Sequence, residues 1–423
     1  MKVFKFGGGV LNSAEAIKKI PAILDLYPGE SIVIVVSALG KTTNALEELI
    51  DASFNNAGDA DGLLKKIKDY HQEILEGLFP DFSHPVYNEI HLYWNEISKM
   101  IREEKPDSFA CYYDSVICYG ELVSSKIVSH SLAGDSQHHH WLDIRQILKT
   151  DSSFREASVD WKASRASTDL EIKPLLENKE TSRTLILTQG FIGSDQQNRS
   201  TSLGREGSDY TASVLANLLD ASEVITWKDV PGILNADPKH FRQTVKLDQI
   251  SYSEATEMAY YGAKIIHPKT VKPLQNKGIP LQVRSFANPL LPGTLIHSGA
   301  GSDSPVPNFI FKFDQVLISV STRDLSFINE NVFNDVFSLL SRYSIHMNII
   351  QNSALTLTLC IDNHPRIDEL LSALQENYTA RYNRGLELIT IRHSNEKASA
   401  LVLHDKQILL EQQNRTVVQY VVR

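Results

Sequence analysis

The chain is poor in cysteine. Cys111, Cys118 and Cys360, spread over 423 residues, cannot build a disulfide framework, and their spacing matches no metal-ligand pattern. They read as reduced core thiols. No apolar run approaches the ~18 residues needed to cross a bilayer. The opening Met1-Lys2-Val3-Phe4-Lys5-Phe6-Gly7 holds no long apolar signal core. A cytoplasmic protein with no membrane partner is the expectation. Excess positive charge is also missing: 42 Lys and Arg stand against 51 Asp and Glu, a net charge of −9. Without a basic stripe, nucleic acid is not an expected partner. What is present is ordinary globular composition, 42% hydrophobic and 22% charged, which excludes a disordered or collagen-like chain. At about 150 residues per domain the length suits several domains.

The first 300 residues or so alternate between two periods. Strand-like runs are Val3–Phe6, Ile32–Val36, Thr184–Thr188, Val224–Trp227 and Leu281–Val283. The run Ile32-Val33-Ile34-Val35-Val36 is apolar without alternation, as for a strand covered on both faces. Helical stretches such as Ser13–Leu26, Ser208–Leu219 and Ser253–Tyr261 lie between them. This alternation predicts an α/β fold with a mostly parallel sheet and helices on both faces. Residues 51–130 read as a helical insertion that could form part of a substrate lid. A Gly-, Ser- and Pro-rich stretch, 297–307, marks a domain boundary. Beyond it the order is strand Phe309–Val320, helix Asn331–Arg342, strands Ile345–Ile350 and Leu355–Ile361, helix Pro365–Glu376 and strand Glu387–Ile391. That is the βαββαβ, ferredoxin-like unit. The tail adds strand candidates Ala400–His404 and Val417–Val422, with a short helix near Asp405–Gln413 between them.

Chemistry-bearing segments follow the predicted strands. Lys5-Phe6-Gly7-Gly8-Gly9 leads into a helix for which Asn12 and Glu15 fit a capping box. Glycines let backbone N–H groups approach an anion, and Lys5 can neutralise charge on a transferring phosphoryl group. On these residues alone, a phosphate cradle and a plain strand-helix turn are evenly matched. The segment matches neither the Walker A pattern nor GxGxxG. Ser37-Ala38-Leu39-Gly40-Lys41-Thr42-Thr43 puts hydroxyls at another strand end, where a helix N-cap by Thr42 or Thr43 is the plainer reading. The loop Thr201–Asp209 is denser in Gly, Arg, Ser and Asp. Its Arg205 suits a substrate carboxylate, and Asp209 suits a metal ion, the orientation of a lysine, or a helix first turn. Lys228-Asp229-Val230-Pro231-Gly232 with Asp237-Pro238-Lys239, and Gly262-Ala263-Lys264, each read singly as turns, with nucleotide contact as the alternative.

Taken in order, Lys5-Phe6-Gly7-Gly8, Val36-Ser37-Ala38, Gly120-Glu121, Leu203-Gly204-Arg205-Glu206-Gly207-Ser208-Asp209 and Gly262-Ala263-Lys264-Ile265-Ile266-His267-Pro268 resemble the aspartate kinases of the amino-acid-kinase family. The resemblance covers nearly the whole chain. It implies a three-layer α/β/α catalytic domain over 1–297 and an ACT-type regulatory region over 309–423. It also implies transfer of the γ-phosphoryl of ATP to the β-carboxylate of L-aspartate, a step towards lysine, threonine and methionine. By position, Lys5 and Asp209 would be catalytic. Ser37, Thr43, Glu121, Arg205 and Ser208 would bind aspartate. Lys5, Gly7, Gly8, Lys228, Asp229, Lys239 and Lys264 would surround ATP. Mg²⁺ would come with ATP rather than from protein ligands.

Departures from the family pattern are Gly9-Val10 in place of Thr-Ser, Glu206 in place of glycine, and Lys228 in place of threonine. They bear on turnover and selectivity. Glu206 adds a negative charge beside Arg205. Family members generally carry two ACT units, and here the second is too short to be complete. Asn348 and Ser353 would line the effector loop, where lysine-sensitive relatives have an aspartate at the position of Asn348. An amide holds a lysine effector less well than a carboxylate, so weak or absent lysine inhibition and a homodimer are expected. Two other functions fit: a related kinase for another acidic substrate such as glutamate, and a catalytically silent ACT-type sensor subunit.

Overall fold

A computed structural model gives the fold and describes residues 1–56, 58–134, 139–178, 183–263, 266–299 and 306–423. The chain forms two compact units. The first is Met1–Ile233 with Lys246–Thr256 and Ile266–Asp303. The second is Ser304–Arg423 with Leu234–Val245 and Glu257–Ile265. A division at residue 297 assigns those last two segments to the catalytic domain, whereas they pack with the C-terminal unit. Most of the expected boundary stretch lies outside the described residues.

In the first unit the strands are β1 Lys2–Phe6, β2 Ile32–Val36, β3 His140–Trp141, β4 Leu185–Gln189, β5 Ile192–Ser194, β6 Ser200–Ser202, β7 Glu223–Lys228, β8 Gln249–Ser251, β9 Leu281–Ser285 and β10 Thr294–His297. Eight of them form one sheet in the order β3-β4-β2-β1-β7-β9-β10-β8, while β5 and β6 make a separate hairpin. Only the β9–β10 pair of the large sheet is antiparallel. β1 lies between β2 and β7, so the chain leaves it toward one side and returns on the other. That switch point opens a crevice at the carboxyl ends of the strands.

Side-chain alternation decides what each face of β1 meets. Phe4 and Phe6 join Ile34, Val36 and Trp227 in a core shared with Leu46, Ile67, Trp94 and Ile127. Those residues belong to the helices Thr42–Phe54, Ala60–Leu78, Pro85–Met100 and Phe109–Gly134. The helical insertion is therefore a packed layer of the fold. Val3 and Lys5 face the other way, toward the helix Gly207–Leu218, whose residues are buried on every side.

Some local expectations shift. The predicted helix 13–26 is two short ones, Ala14–Ile17 and Ile20–Leu24. Pro21 has no N–H to continue the first ladder and fits the first turn of the second. Ser13, not Asn12, caps the first helix, accepting from the Ala16 N–H at 3.2 Å. Lys41, rather than Thr42 or Thr43, stands at the N-cap of the next helix.

The second unit holds β11 Asn308–Ser321, β12 Met347–Asn352, β13 Leu357–Asp362, β14 Thr379–Arg392, β15 Ile408–Gln413 and β16 Val417–Val422, in the order β12-β13-β11-β14-β16-β15. β11, β12, β13 and β14, with the helices Glu330–Arg342 and Ile367–Asn377, complete the ferredoxin-like unit. Both long strands continue past a register shift between Lys312 and Gln315. There they pair into a second half with β16, β15 and one helix, Glu396–Leu403. The tail reverses the sequence reading. The candidate strand 400–404 lies largely in that helix, capped by Asn395. The candidate helix 405–413 contains β15 instead. The Asn414 side chain accepts from the N–H groups of Thr416 and Val417, closing a hairpin that pulls 408–413 into the sheet.

The approach of two strand-end loops tests this frame. A Cβ on Gly8 would sit 2.3 Å from the Ala38 carbonyl oxygen, whereas one on Gly9 would meet nothing within 4 Å. Gly8→Ala should therefore destabilise by about 2 kcal/mol or more, and Gly9→Ala by less than about 0.5 kcal/mol, in urea unfolding.

Candidate active site

The carboxyl ends of β1, β2 and β7 carry Lys5 with Gly7 and Gly8, Ser37, and Lys228 with Asp229. Lys5 pairs across the sheet with Val35 of β2 and Thr226 of β7. Its ammonium donates to Asp209 Oδ2 at 2.9 Å, and both side chains are nearly buried. The Thr226 hydroxyl donates to the other Asp209 oxygen at 3.4 Å. Burial pushes the Asp209 carboxyl up, but the positive charges of Lys5 and Lys228 and the bond from Lys5 outweigh it and hold the group below the ordinary carboxylate range. Asp209 stays ionised and keeps Lys5 aimed over Gly7, where an added Cβ would lie 3.4 Å from Nζ. Removing one partner of such a buried pair strands the other charge.

Glu121 approaches from the helix Phe109–Gly134. Burial pushes its carboxyl up to about 8, against a backbone hydrogen bond from Ala38 and the charge of Lys5. Its Oε2 is buried with no hydrogen-bond partner among the described residues. A buried carboxyl with one oxygen to spare is suited to an incoming ammonium. Ser37 follows β2, and Ser208 opens the helix Gly207–Leu218. The Ser37 carbonyl accepts from the Ser124 hydroxyl at 2.5 Å. Ser208 is 8% exposed and abuts Gly190, where a Cβ would come within 2.5 Å of the serine's own. Thr43 is half-buried in the first turn of Thr42–Phe54. Arg205 is exposed and forms no hydrogen bond or ion pair with any described residue.

The remaining nucleotide assignments are less gathered. Asp229 is exposed just past β7. Lys228 ends that strand, and its carbonyl accepts from the Phe286 N–H at 2.8 Å. Lys239 is exposed and belongs to the second unit. Lys264 lies outside the described residues. In the second unit, the Asn348 amide is already occupied. Its oxygen accepts from the Lys312 ammonium at 2.8 Å, and its nitrogen donates to Gln315 at 2.7 Å and Asp362 at 3.0 Å. Ser353 closes its own turn with Thr356.

Sequence reasoning missed Asp114. This fully buried carboxylate accepts from the Ser202 N–H and hydroxyl at 2.8 and 2.5 Å, and from the Arg155 N–H at 2.9 Å. It anchors the start of the loop that carries Arg205. The signal was available: Asp114 precedes Glu121 by about two helical turns, on the same face. Thr226 was legible too, because strand alternation places it on the Lys5 side. Phe191, at φ +71° beside Gly207, left no sequence signal.

A buried lysine–carboxylate pair at a glycine loop, a carboxyl waiting for a cation and an unpaired arginine on a Gly-rich loop describe a small-molecule phosphotransferase. The model of the amino acid kinase family matches residues 1–285, and the chain belongs to that family. Among named relatives, it is 30% identical over 361 residues to lysine-sensitive aspartokinase 3 of Escherichia coli (strain K12), covering 85% of this chain and 78% of that one. Aspartokinase 1, chloroplastic, of Arabidopsis thaliana is 26% identical over 425 residues, 95% of this chain and 72% of that one. The crystal structure of E. coli aspartokinase III with aspartate and ADP in its R-state aligns at a TM-score of 0.81 with 27% identity, covering all of this chain and 96% of the other. The T-state structure with lysine and aspartate aligns at 0.82 with 26% identity and the same coverage.

The state of Glu121 gives a two-sided prediction. A carboxyl raised from 4.5 to about 8 stabilises the fold below the lower value and loses that contribution as pH rises through the upper one. Glu121→Gln should therefore melt higher than the parent at pH 8–9. It should also raise KM for an ammonium-bearing substrate at least ~10-fold by removing the buried counter-charge. In the parent, that KM should fall as pH climbs from 6.5 to ~8.5 and Glu121 ionises. Thermal melts and steady-state kinetics across pH check both.

Proposed function

We propose that the chain is an ATP-dependent aspartate kinase that forms 4-phospho-L-aspartate. The observation that carries this reading is the buried Lys5–Asp209 pair beside a glycine loop, with Glu121 holding an unpartnered oxygen close to Lys5. The aspartokinase relatives and the two E. coli aspartokinase III structures support aspartate as the acceptor.

In the reaction, a β-carboxylate oxygen of aspartate bonds to the γ-phosphorus of ATP. The bond from that phosphorus to the β,γ-bridging oxygen breaks, and ADP leaves. Phosphoryl transfer asks mainly for positioning and charge neutralisation. Lys5 supplies positive charge on the transferring group, and Asp209 holds Lys5 in place. Gly7 and Gly8 let the backbone approach the phosphates. Glu121 takes the substrate ammonium, Arg205 takes a substrate carboxylate, and Ser37, Thr43 and Ser208 line the site. Lys228 and Asp229 are assigned to the nucleotide.

Mg²⁺ would screen the phosphate oxygens. Among the described residues no three His, Cys, Asp or Glu side chains group as a metal site, and Asp209 is committed to Lys5. Mg²⁺ is proposed to arrive with ATP, held by phosphate oxygens and water. No helix among the described residues is long and apolar enough to cross a membrane. A cytoplasmic homodimer is proposed on the ACT-type region.

Lysine is proposed to act weakly. Asn348 offers an amide where a carboxylate would hold a lysine effector, and that amide is already saturated by Lys312, Gln315 and Asp362.

The test is acyl-phosphate formation trapped with hydroxylamine, with ATP, Mg²⁺ and either L-aspartate or L-glutamate. Aspartate is expected to give the signal. Signal from glutamate alone would overturn the substrate assignment, and no signal with either would favour a sensor subunit. In the same assay L-lysine should inhibit by less than about half at ~10 mM, far above the micromolar range of a charge-paired effector site. Strong inhibition at low concentration would overturn the effector reading.

A further inference from the structure

Glu206 was expected to crowd Arg205 with negative charge. Its geometry gives it a different role. Glu206 stands at the N-cap of Gly207–Leu218 with φ +53°, a left-handed conformation uncommon outside glycine. Such a conformation persists only where the surroundings fix it. Here its carboxylate turns away to the start of another helix, Pro268–Gln275. Oε2 accepts from the His267 N–H at 2.8 Å.

The link closes on itself. The His267 ring nitrogen Nδ1 accepts from the Lys269 N–H at 3.2 Å. The Lys269 ammonium then reaches back to donate to the Leu203 carbonyl at 3.0 Å. It also lies 5.0 Å from the centre of the Tyr210 ring, next to Asp209 in the chain. Leu203 and Glu206 are thus both tied to one helix start, by a neutral carbonyl at one end and a carboxylate at the other. Between them, Gly204 at φ +76° accepts from the Gly207 N–H at 3.0 Å. Arg205 alone is left with no hydrogen bond or ion pair to a described residue.

We propose that Glu206, with Lys269, is a positioning residue that clasps the loop 203–206 and presents Arg205 to the substrate carboxylate. This rests on the aspartate-kinase reading of the site. Glu206 does not touch substrate, and its charge is engaged by a backbone N–H rather than by Arg205. The clasp replaces with a fixed bond the conformational freedom that a glycine would give the loop. Its energetic signature is therefore in acceptor binding and not in nucleotide binding.

The experiment compares Glu206→Ala, Glu206→Gln and Lys269→Met with the parent. Steady-state kinetics in aspartate and in ATP are paired with hydrogen–deuterium exchange of the His267 amide. Glu206→Gln keeps an acceptor oxygen. Its KM for aspartate should stay within about threefold of the parent, while Glu206→Ala raises it about tenfold with KM for ATP and kcat changed less than about threefold. Lys269→Met should shift KM for aspartate in the same direction, which separates the clasp from a folding defect of one variant. The His267 amide should exchange at least ~10-fold faster in Glu206→Ala, a readout that needs no turnover. Unchanged exchange, or faster exchange with an unchanged KM for aspartate, would overturn the clasp. So would Glu206→Gln behaving like Glu206→Ala, which would make charge the agent. A parent enzyme that does not phosphorylate aspartate would overturn the substrate reading and, with it, this use of Arg205. Parent turnover with an unaffected Glu206→Ala would overturn this inference alone.

Discussion

The site depends on one buried ion pair, Lys5 with Asp209. Burying either charge alone would cost several kcal/mol, so each is tolerable only because the other is there. The sheet makes their meeting possible. β1 sits between β2 and β7, and alternation along β1 turns Lys5 toward the buried helix Gly207–Leu218, whose first turn supplies Asp209. Thr226 on β7 completes the shell of that carboxylate. Phe4 and Phe6 bind the strand to the helical layer on the opposite face, so the same five residues that anchor the core also aim the lysine.

Around that pair the candidate site holds carboxylates in contrasting states. Asp209 is held ionised by two lysines. Glu121 is buried and raised, with one oxygen that has no hydrogen-bond partner among the described residues. Asp114, on the same helix as Glu121, is spent on Ser202 and Arg155 and fixes one end of the Arg205 loop. Glu206 fixes the other end through His267. On the proposed reading, identical functional groups serve as lysine anchor, ammonium receptor and loop tether because burial and partners differ.

Much of this was legible in the sequence where a single local rule decides. The all-apolar Ile32–Val36 could only be a strand covered on both faces. Lys5 lay at a strand end with Gly7 and Gly8 after it, and Glu121, Arg205 and Asp209 lay in an order that resembles a known family. What escaped depended on long-range partners. Asp114 has no motif of its own, and its importance lies in Ser202, far along the chain. Glu206 looked like a charge conflict because its partner is a backbone N–H of His267, which no side-chain pattern reveals. Residues 400–413 were misread because apolar content decided their assignment, whereas the Asn395 cap and the Asn414 turn set the actual order of helix and strand. The helical insertion was recognised as helical, but only packing shows it to be a wall of the core.

The most direct test of the central claim is single-turnover phosphoryl transfer in Lys5→Ala/Asp209→Asn, with ATP affinity measured in parallel. The double change removes both buried charges, so the protein should remain folded. The account predicts ATP binding weakened by no more than about tenfold and transfer slowed at least ~10³-fold, the scale of losing a preorganised charge at a transferring group. Transfer at close to the parent rate would contradict it, because the ion pair would then be only a structural feature of the core.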